Sequence, residues 1–147
     1  ATDFDVYCEG VNMGNALVWS VPAASSNAVQ SNPVVTWTGG DLDVAYDEGM
    51  SSVLAVRLSP FTGTILSAPA LLASSAAQAG VVRMCPDGQG GALVAYTFLT
   101  GASRQVQVYR YFGGSAYQLA GNAYQPLSAT VAVTDIQYAG SLNGWLG

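Results

Sequence analysis

The sequence predicts an all-β protein, because short strand-like runs alternate with turn signals and no run of ten residues has a helical period. The clearest stretch is 81–114. It holds three strand-like runs, separated by turns at 86–88 and 100–103 that are rich in Gly, Pro, Asp and Ser. The last run, 105–111, alternates polar and apolar residues, so one of its faces is expected to be buried. This stretch predicts an antiparallel meander.

Strand-like runs recur on both sides of that stretch. The segment 4–20 predicts two strands around a turn, and 21–32 predicts a connector with at most one short strand. Further strands, separated by glycine-bearing turns, are predicted at 33–37, 42–46, 53–58 and 65–72. Beyond the meander, strands are predicted within 115–126 and at 130–133 and 135–138, with a turn at 139–141.

Composition limits the class of partner. The chain has 147 residues, enough for one domain with one core, and only 9% of them are charged. With a net charge of −5, four Arg and no Lys or His, it lacks the basic cluster that nucleic acid or an anionic membrane surface requires. No stretch reaches the roughly 18 apolar residues of a membrane-spanning helix. Low charge without Lys is typical of a secreted protein, so we expect an extracellular location.

The strand-like runs form a repeat. Four runs each lead from a turn into a strand that ends on an aromatic residue. These residues are Trp19, Tyr46, Tyr96 and Trp145. Because the last two intervals are nearly equal, the spacing predicts repeated units. Two units are predicted to be whole, 33–79 and 80–129, and two partial, 1–32 and 130–147. Residues 1–147 are therefore expected to be a single all-β domain or part of a larger propeller.

The whole units resemble the repeat of secreted bacterial β-propellers. The run 85–114, in which Asp87-Gly88-Gln89-Gly90-Gly91 leads into a strand ending Val-x-Tyr, carries the resemblance, and the segment 33–63 matches it as well. The resemblance implies propeller-like four-stranded meander units. It also implies a surface or extracellular role, since such propellers serve as adhesins, surface-layer components, glycan binders and enzyme accessory domains. A β-sandwich of the same strands is the alternative fold.

Catalytic patterns are missing from the sequence. Without His, the Ser, Thr and Cys side chains lack the commonest activating base, and the absence of Lys excludes a Ser-Lys pair. The glycine-rich segment 88–91 leads into a strand, which is typical of a hairpin turn and not of a phosphate loop. We therefore expect no enzyme activity, and a fragment of a propeller hydrolase is only the third interpretation.

The densest acidic group is Asp41, Asp43 and Asp47, with Glu48 beside them. Two or three of these carboxylates are a candidate calcium site, the only cofactor that the sequence suggests. The more ordinary interpretation is that turns favour Asp and that sheet edges favour charge.

The candidate binding residues are Tyr109, Tyr111 and Tyr117, with Arg110. Alternation places Tyr109 and Tyr111 on one face of a strand, where a sugar ring or a partner surface can stack. The alternative, which we favour, is that these two tyrosines belong to a core between units.

The two cysteines, Cys8 and Cys85, allow either one disulfide or two buried thiols. Each precedes its aromatic residue, Trp19 or Tyr96, by the same number of positions. Matching places in separate units usually lie apart, which favours two thiols.

These observations predict an extracellular, non-enzymatic structural or adhesive module that self-associates or docks on another chain through strand edges. A carbohydrate-binding lectin of the same architecture is the alternative. The partial units would expose strand edges and apolar faces. We therefore expect an oligomer or filament in which the terminal strands of one copy complete the sheet of the next.

Overall fold

The computed structural model describes residues 5–49, 51–74, 82–100, 103–118, 139–141 and 144–146. These residues form twelve strands and no helix, which confirms the all-β prediction. The strands are β1 (Val6–Val11), β2 (Leu17–Ala24), β3 (Gln30–Trp37), β4 (Leu42–Glu48), β5 (Ser52–Leu58), β6 (Ile65–Ser74), β7 (Val82–Pro86), β8 (Ala92–Thr100), β9 (Ser103–Phe112), β10 (Ser115–Gln118), β11 (Ala139–Ser141) and β12 (Gly144–Leu146). Within the described ranges there is no helix long and apolar enough to cross a membrane.

The sheets are antiparallel and follow the order of the chain. Strands β3 to β6 form one four-stranded sheet, here named the first meander, and β7 to β10 form another, the second meander. Strands β1 and β2 pair as an N-terminal hairpin, and β11 and β12 as a short C-terminal one. The meander predicted from the sequence at 81–114 is therefore part of the second of two similar sheets.

The central residues of β4 and β5 are buried on both faces of the first meander. On one face it packs against the N-terminal hairpin in a core of Val6, Ala23, Ala24, Val44, Tyr46, Val56 and Leu58. On the other face it packs against the second meander in a core of Ala45, Val53, Ala55, Leu72, Val82, Val94, Tyr96 and Tyr111. Because successive residues of a strand point to opposite faces, Val44 and Ala45 enter different cores. This explains why β4 reads as a nearly continuous apolar run at its centre.

The two middle tyrosines of the sequence repeat occupy equivalent places. Tyr46 lies in the second strand of the first meander and Tyr96 in the second strand of the second, and both are almost fully buried. Tyr46 packs towards the N-terminal hairpin, and Tyr96 towards the first meander. Each tyrosine thus faces the unit that precedes it in the chain.

Trp19 is not equivalent to those tyrosines, contrary to the repeat read from the sequence. It lies in β2, opposite Gly10 of β1, and β2 continues beyond it to Ala24. The connector predicted at 21–32 was therefore too long. Ala23 and Ala24 resemble loop residues in sequence but are core residues, because small side chains fit the close approach of the hairpin to the first meander.

The C-terminal prediction is also corrected. Residues 139–141, predicted as a turn, form strand β11 and pair with β12, with Gly140 opposite Trp145. Glycine, serine and alanine favour turns locally, but the ladder of hydrogen bonds decides the pairing. The strands predicted at 130–133 and 135–138 lie outside the described residues.

We predict that Leu58→Ala will lower the free energy of unfolding by about 2–5 kcal/mol, because Leu58 is fully buried in the core beneath the hairpin and truncation leaves a cavity. Urea denaturation followed by circular dichroism measures this change. The matched control is Leu66→Ala at a half-exposed site of β6, where we expect a loss of no more than about 0.5 kcal/mol. Equal losses at the two sites would contradict this description of the core.

Candidate functional site

Trp19 fixes the N-terminal hairpin against the first meander. Its indole N–H donates a hydrogen bond to the carbonyl of Pro60, with an N···O distance of 3.0 Å. A Cβ on Gly10 would overlap the indole ring, and one on Gly63 would lie 2.6 Å from it. Glycine at these two positions therefore gives the ring its space, and the hairpin is held by the turn between β5 and β6.

A cleft opens beside β1 on the same side of the first meander. Its volume is about 380 Å³, and Tyr7, Cys8 and Glu9 of β1 line it together with Val34 and Val35 of β3 and Val44 of β4. We name it the β1 cleft. Its walls are mainly apolar, and Tyr7 and Val35 are more than half exposed within it. It is the candidate functional site, because exposed apolar residues in a concave surface mark binding sites.

One backbone edge of β1 borders this cleft. In the described part of the chain β1 pairs only with β2, so its other edge has no strand partner there. Unpaired N–H and C=O groups along a strand are a template for the addition of another strand. The β1 cleft thus combines an open strand edge with an apolar floor.

The chemistry of the cleft does not favour nucleophilic catalysis. Burial raises the pKa of Cys8, so the thiol stays protonated at neutral pH and is a poor nucleophile. Among the described residues that line the cleft, Glu9 is the only charged one. The arrangement is suited to binding an apolar or aromatic surface.

The three aspartates of the candidate calcium site are held by protein partners. Asp43 is fully buried and accepts two hydrogen bonds from Arg57, at 2.7 and 2.8 Å, while Asp41 lies 3.7 Å from the same guanidinium. Asp47 is also buried and accepts hydrogen bonds from the side chains of Ser31 and Asn32. Within the described ranges no group of three His, Cys, Asp or Glu side chains is arranged to hold a metal ion.

Arg57 links the two meanders. Besides Asp43, its guanidinium donates to the carbonyl of Gly90 at 2.9 Å, in the turn between β7 and β8. It also lies over the ring of Tyr111, 5.8 Å from the ring centre. Burial raises the pKa of Asp43, and the hydrogen bonds from Arg57 oppose that rise, while those bonds raise the pKa of Arg57. The acidic group detected in the sequence therefore includes a structural ion pair.

Tyr109 and Tyr111 lie on one strand face, as alternation predicts, but that face packs on the first meander. Tyr111 is fully buried, and its hydroxyl is 2.8 Å from that of Ser67 in β6. Tyr109 is partly buried, with its ring centre 5.9 Å from that of Tyr96. A ligand therefore cannot stack on Tyr111 in this structure. The structure does not describe the side chain of Tyr117.

Arg110 is the remaining candidate binding residue, and its side chain contacts Asp87 and Phe112. It donates to the carboxylate of Asp87 at 2.6 Å and lies over the ring of Phe112, 4.9 Å from its centre. Asp87 also accepts the backbone N–H groups of Gln89 and Gly91 at 2.7 and 2.8 Å. The Asp-Gly-x-Gly-Gly turn recognised in the sequence is therefore closed by its own aspartate and held by Arg110.

The electrostatics of Asp87 follow from these contacts. Burial acts to raise the pKa of Asp87, but the two backbone N–H groups and Arg110 outweigh it and hold the pKa below its usual value. Gly91 is required beside it, because a Cβ there would lie 2.7 Å from the carbonyl oxygen of Tyr111. The turn thus contacts β9 at two places, Arg110 and Tyr111.

The cysteines are not joined to each other by a disulfide. Cys8 lies in β1, opposite Val21, whereas Cys85 lies in β7, opposite Leu93. They do not occupy matching places of two units, contrary to the sequence repeat, because Cys8 belongs to a two-stranded hairpin and Cys85 to the first strand of a meander.

Sequence reasoning missed the β1 cleft. Its residues come from β1, β3 and β4, and none of them forms a motif. The signal that was present is the exposed edge predicted for the partial first unit. The chain has no match among models of known protein families, among curated proteins or among solved structures. The fold therefore defines the class, an all-β protein of stacked antiparallel sheets.

We predict that Asp87→Asn will lower the free energy of unfolding at pH 7 by about 1–3 kcal/mol, because it removes the charge from hydrogen bonds that hold the turn. Since the pKa of Asp87 is lowered in the folded protein, this stabilisation is present above about pH 4 and is lost as the pH falls through the folded-state pKa. Urea unfolding of both proteins across this pH range tests the prediction.

The control for Asp87→Asn is Asp41→Asn, at a partly exposed carboxylate 3.7 Å from Arg57, where we expect less than about 1 kcal/mol. A difference between wild type and Asp87→Asn that grows towards low pH would contradict the assignment.

We predict that Gly63→Ala will destabilise the protein by more than Gly39→Ala. Both glycines have positive φ, at 69° and 95°, so both substitutions strain the backbone by about 1 kcal/mol or more. Only at Gly63 would the new methyl meet the Trp19 ring, since nothing lies within 4 Å of a Cβ on Gly39. Thermal unfolding of the two variants compares these effects, and equal shifts would refute the role of Gly63 in seating Trp19.

Proposed function

We propose that this protein is an extracellular, non-enzymatic structural or adhesive module built of propeller-like units, which associates with further copies of itself or with another chain through strand edges. The observation that carries the proposal is the β1 cleft, where an unpaired edge in the described part of the chain lies beside an apolar floor. A sheet with such an edge binds another strand unless charge or a covering segment prevents it.

Propeller-like stacking is supported by how the two meanders meet. The first strands, β3 and β7, are neighbours, and so are the last strands, β6 and β10. Both sheets therefore run in the same order across their interface, and their second-strand tyrosines face the same way. Radially arranged blades have this relation. A β-sandwich built of the same strands is the alternative.

A structural role is supported by the hydrogen bonds that the buried carboxylates make within the protein. The carboxylates of Asp43, Asp47 and Asp87 are buried in hydrogen bonds within the protein. Burial also raises the pKa of Tyr46 to about 12, so this phenol is not a base at neutral pH. The chain has no His and no Lys, so the side chain most often used as a general base and the amine nucleophile are both missing.

Carbohydrate binding is the second candidate function, and the cleft is the observation that favours it. Tyr7 offers a ring that is 60% exposed, and Glu9 beside it can accept hydrogen bonds from sugar hydroxyls. A glycan array probed with and without calcium tests this candidate. Binding that competes with free sugar and is lost in Tyr7→Ala would favour the lectin, and no binding to any glycan would remove it.

We predict that the purified chain at micromolar concentration will have a mass of at least two 15.1 kDa chains in size-exclusion chromatography with light scattering. Apolar strand addition should persist or strengthen at high salt, because it does not depend on exposed ion pairs. Circular dichroism of the same fractions confirms that the protein is folded. A folded monomer at every concentration and salt would contradict the proposed self-association.

A further inference from the structure

One face of β1 carries a row of exposed side chains. Because alternate residues of a strand point to the same face, Tyr7, Glu9 and Val11 lie together on β1, and all three are exposed, Tyr7 and Val11 at 60%. Asp5 lies directly before β1, is also exposed and continues the alternation. The row therefore consists of a carboxylate, an aromatic ring, a second carboxylate and an apolar side chain.

The two carboxylates of this row have no cation beside them in the described part of the chain. The ion pairs found among the described residues use Arg57 and Arg110, and none of them includes Asp5 or Glu9. Glu9 accepts a long hydrogen bond, of 3.5 Å, from the hydroxyl of Ser20. A positively charged partner would therefore gain an attraction at this row that the described chain does not supply to itself.

The opposite face of an added strand would meet an apolar floor. The β1 cleft borders the open edge of β1, and Val35, Leu42 and Val44 of the first meander line it. Side chains of a strand that pairs with β1 point alternately to this floor and to the side of Tyr7 and Glu9. The site therefore favours a strand with apolar residues at every second position and cations between them.

The chain itself has no segment with that pattern of charge. It has no Lys, and no two of its four Arg residues are four positions apart, as Asp5 and Glu9 are. Pairing of β1 with the β1 strand of a second copy, centred on Tyr7, would set Asp5 opposite Glu9, and like charges directly opposite are destabilising. The charge of the row is thus complementary to a different protein.

We propose that the β1 cleft binds an extended segment of another protein in which apolar residues alternate with polar ones that include two Lys or Arg four positions apart. The segment adds to the open edge of β1, its apolar side chains fill the cleft, and its cations lie opposite Asp5 and Glu9. This inference rests on the proposed docking through strand edges and names the chemistry of the partner at this edge.

A synthetic peptide of this pattern tests the charge complementarity. The probe is Val-Lys-Val-Thr-Val-Lys-Val with blocked ends, and the matched control is Val-Glu-Val-Thr-Val-Glu-Val. We expect isothermal titration calorimetry to give the Lys peptide a dissociation constant at least about 5-fold lower, because its lysines lie opposite carboxylates that repel the glutamates. Equal affinities, or no binding of the Lys peptide at about 1 mM, would overturn the inference.

The apolar face of the peptide has its own control. In Ser-Lys-Ser-Thr-Ser-Lys-Ser the charges are kept and the side chains that would fill the cleft are removed. We expect this peptide to bind at least about 10-fold more weakly than the Lys peptide, because it buries little apolar surface. Equal binding of the two would show that charge alone attracts them, and the placement in the cleft would be wrong.

Charge reversal on the protein provides a further test. In the double variant Asp5→Lys and Glu9→Lys the preference should invert, so that the Glu peptide binds at least about 5-fold more tightly than the Lys peptide. Both positions are exposed, so the variant should fold, which circular dichroism checks. Leu66→Lys, at a half-exposed site of β6, is the control and should leave the preference unchanged. A double variant with the wild-type preference contradicts the assigned pairing.

Hydrogen exchange tests whether the peptide adds as a strand. The outward amide N–H groups of β1 would donate to the peptide, so their exchange should slow by about 10-fold or more when the Lys peptide saturates the protein. The amides of β5, which already lies between β4 and β6, should not change. Binding without protection of Val6–Val11 would refute strand addition.

The outcomes separate this inference from the function on which it rests. A chain that forms oligomers but does not prefer the Lys peptide keeps the proposed self-association and overturns this inference. A monomeric chain that binds the Lys peptide and protects β1 removes self-association and keeps this inference. Two other occupants would overturn it: a second copy that protects β1 and that the peptide does not displace, or a neutral sugar that binds the cleft when the peptide does not.

Discussion

The central residues of β4 and β5 are buried on both faces of the first meander, and the placement of the N-terminal hairpin and of the second meander follows from this. A sheet of alternating residues has two faces, and here Val44 and Tyr46 require a cover on one side while Ala45 and Ala55 require one on the other. The N-terminal hairpin and the second meander supply these covers. The later unit contributes a second-strand tyrosine to each of the two cores, Tyr46 in one and Tyr96 in the other, and this tyrosine faces the preceding unit.

The few charged residues reinforce this stacking where apolar packing alone would leave polar groups buried. Arg57 and Arg110 occupy aligned places in the third strands of the two meanders, but their acids come from different positions, Asp43 in a strand and Asp87 in a turn. A buried pair of this kind is costly to form and costly to break, so it fixes the geometry more than it adds stability. Arg57 also reaches across to the second meander, at the carbonyl of Gly90.

The same stacking explains where a partner can bind. In the described part of the chain, β1 pairs with β2 alone, so its other edge is open, and the apolar surface of the β1 cleft lies beside that edge. Assembly and adhesion are functions that an edge and a surface can perform, which is why they form the proposal.

The all-β class, the strand order of both meanders and the grouping of Tyr109 with Tyr111 could be predicted from the sequence, because these depend on local periodicity and on turn residues such as Gly63 and Gly88. The burial of Tyr111 in a core, the ion pair of Asp43 and the extension of β2 beyond Trp19 became evident when the sheets were seen together. The tertiary structure also revealed the β1 cleft. Such features depend on which faces meet, and residues far apart in the chain meet only when the sheets stack, so no local pattern records them.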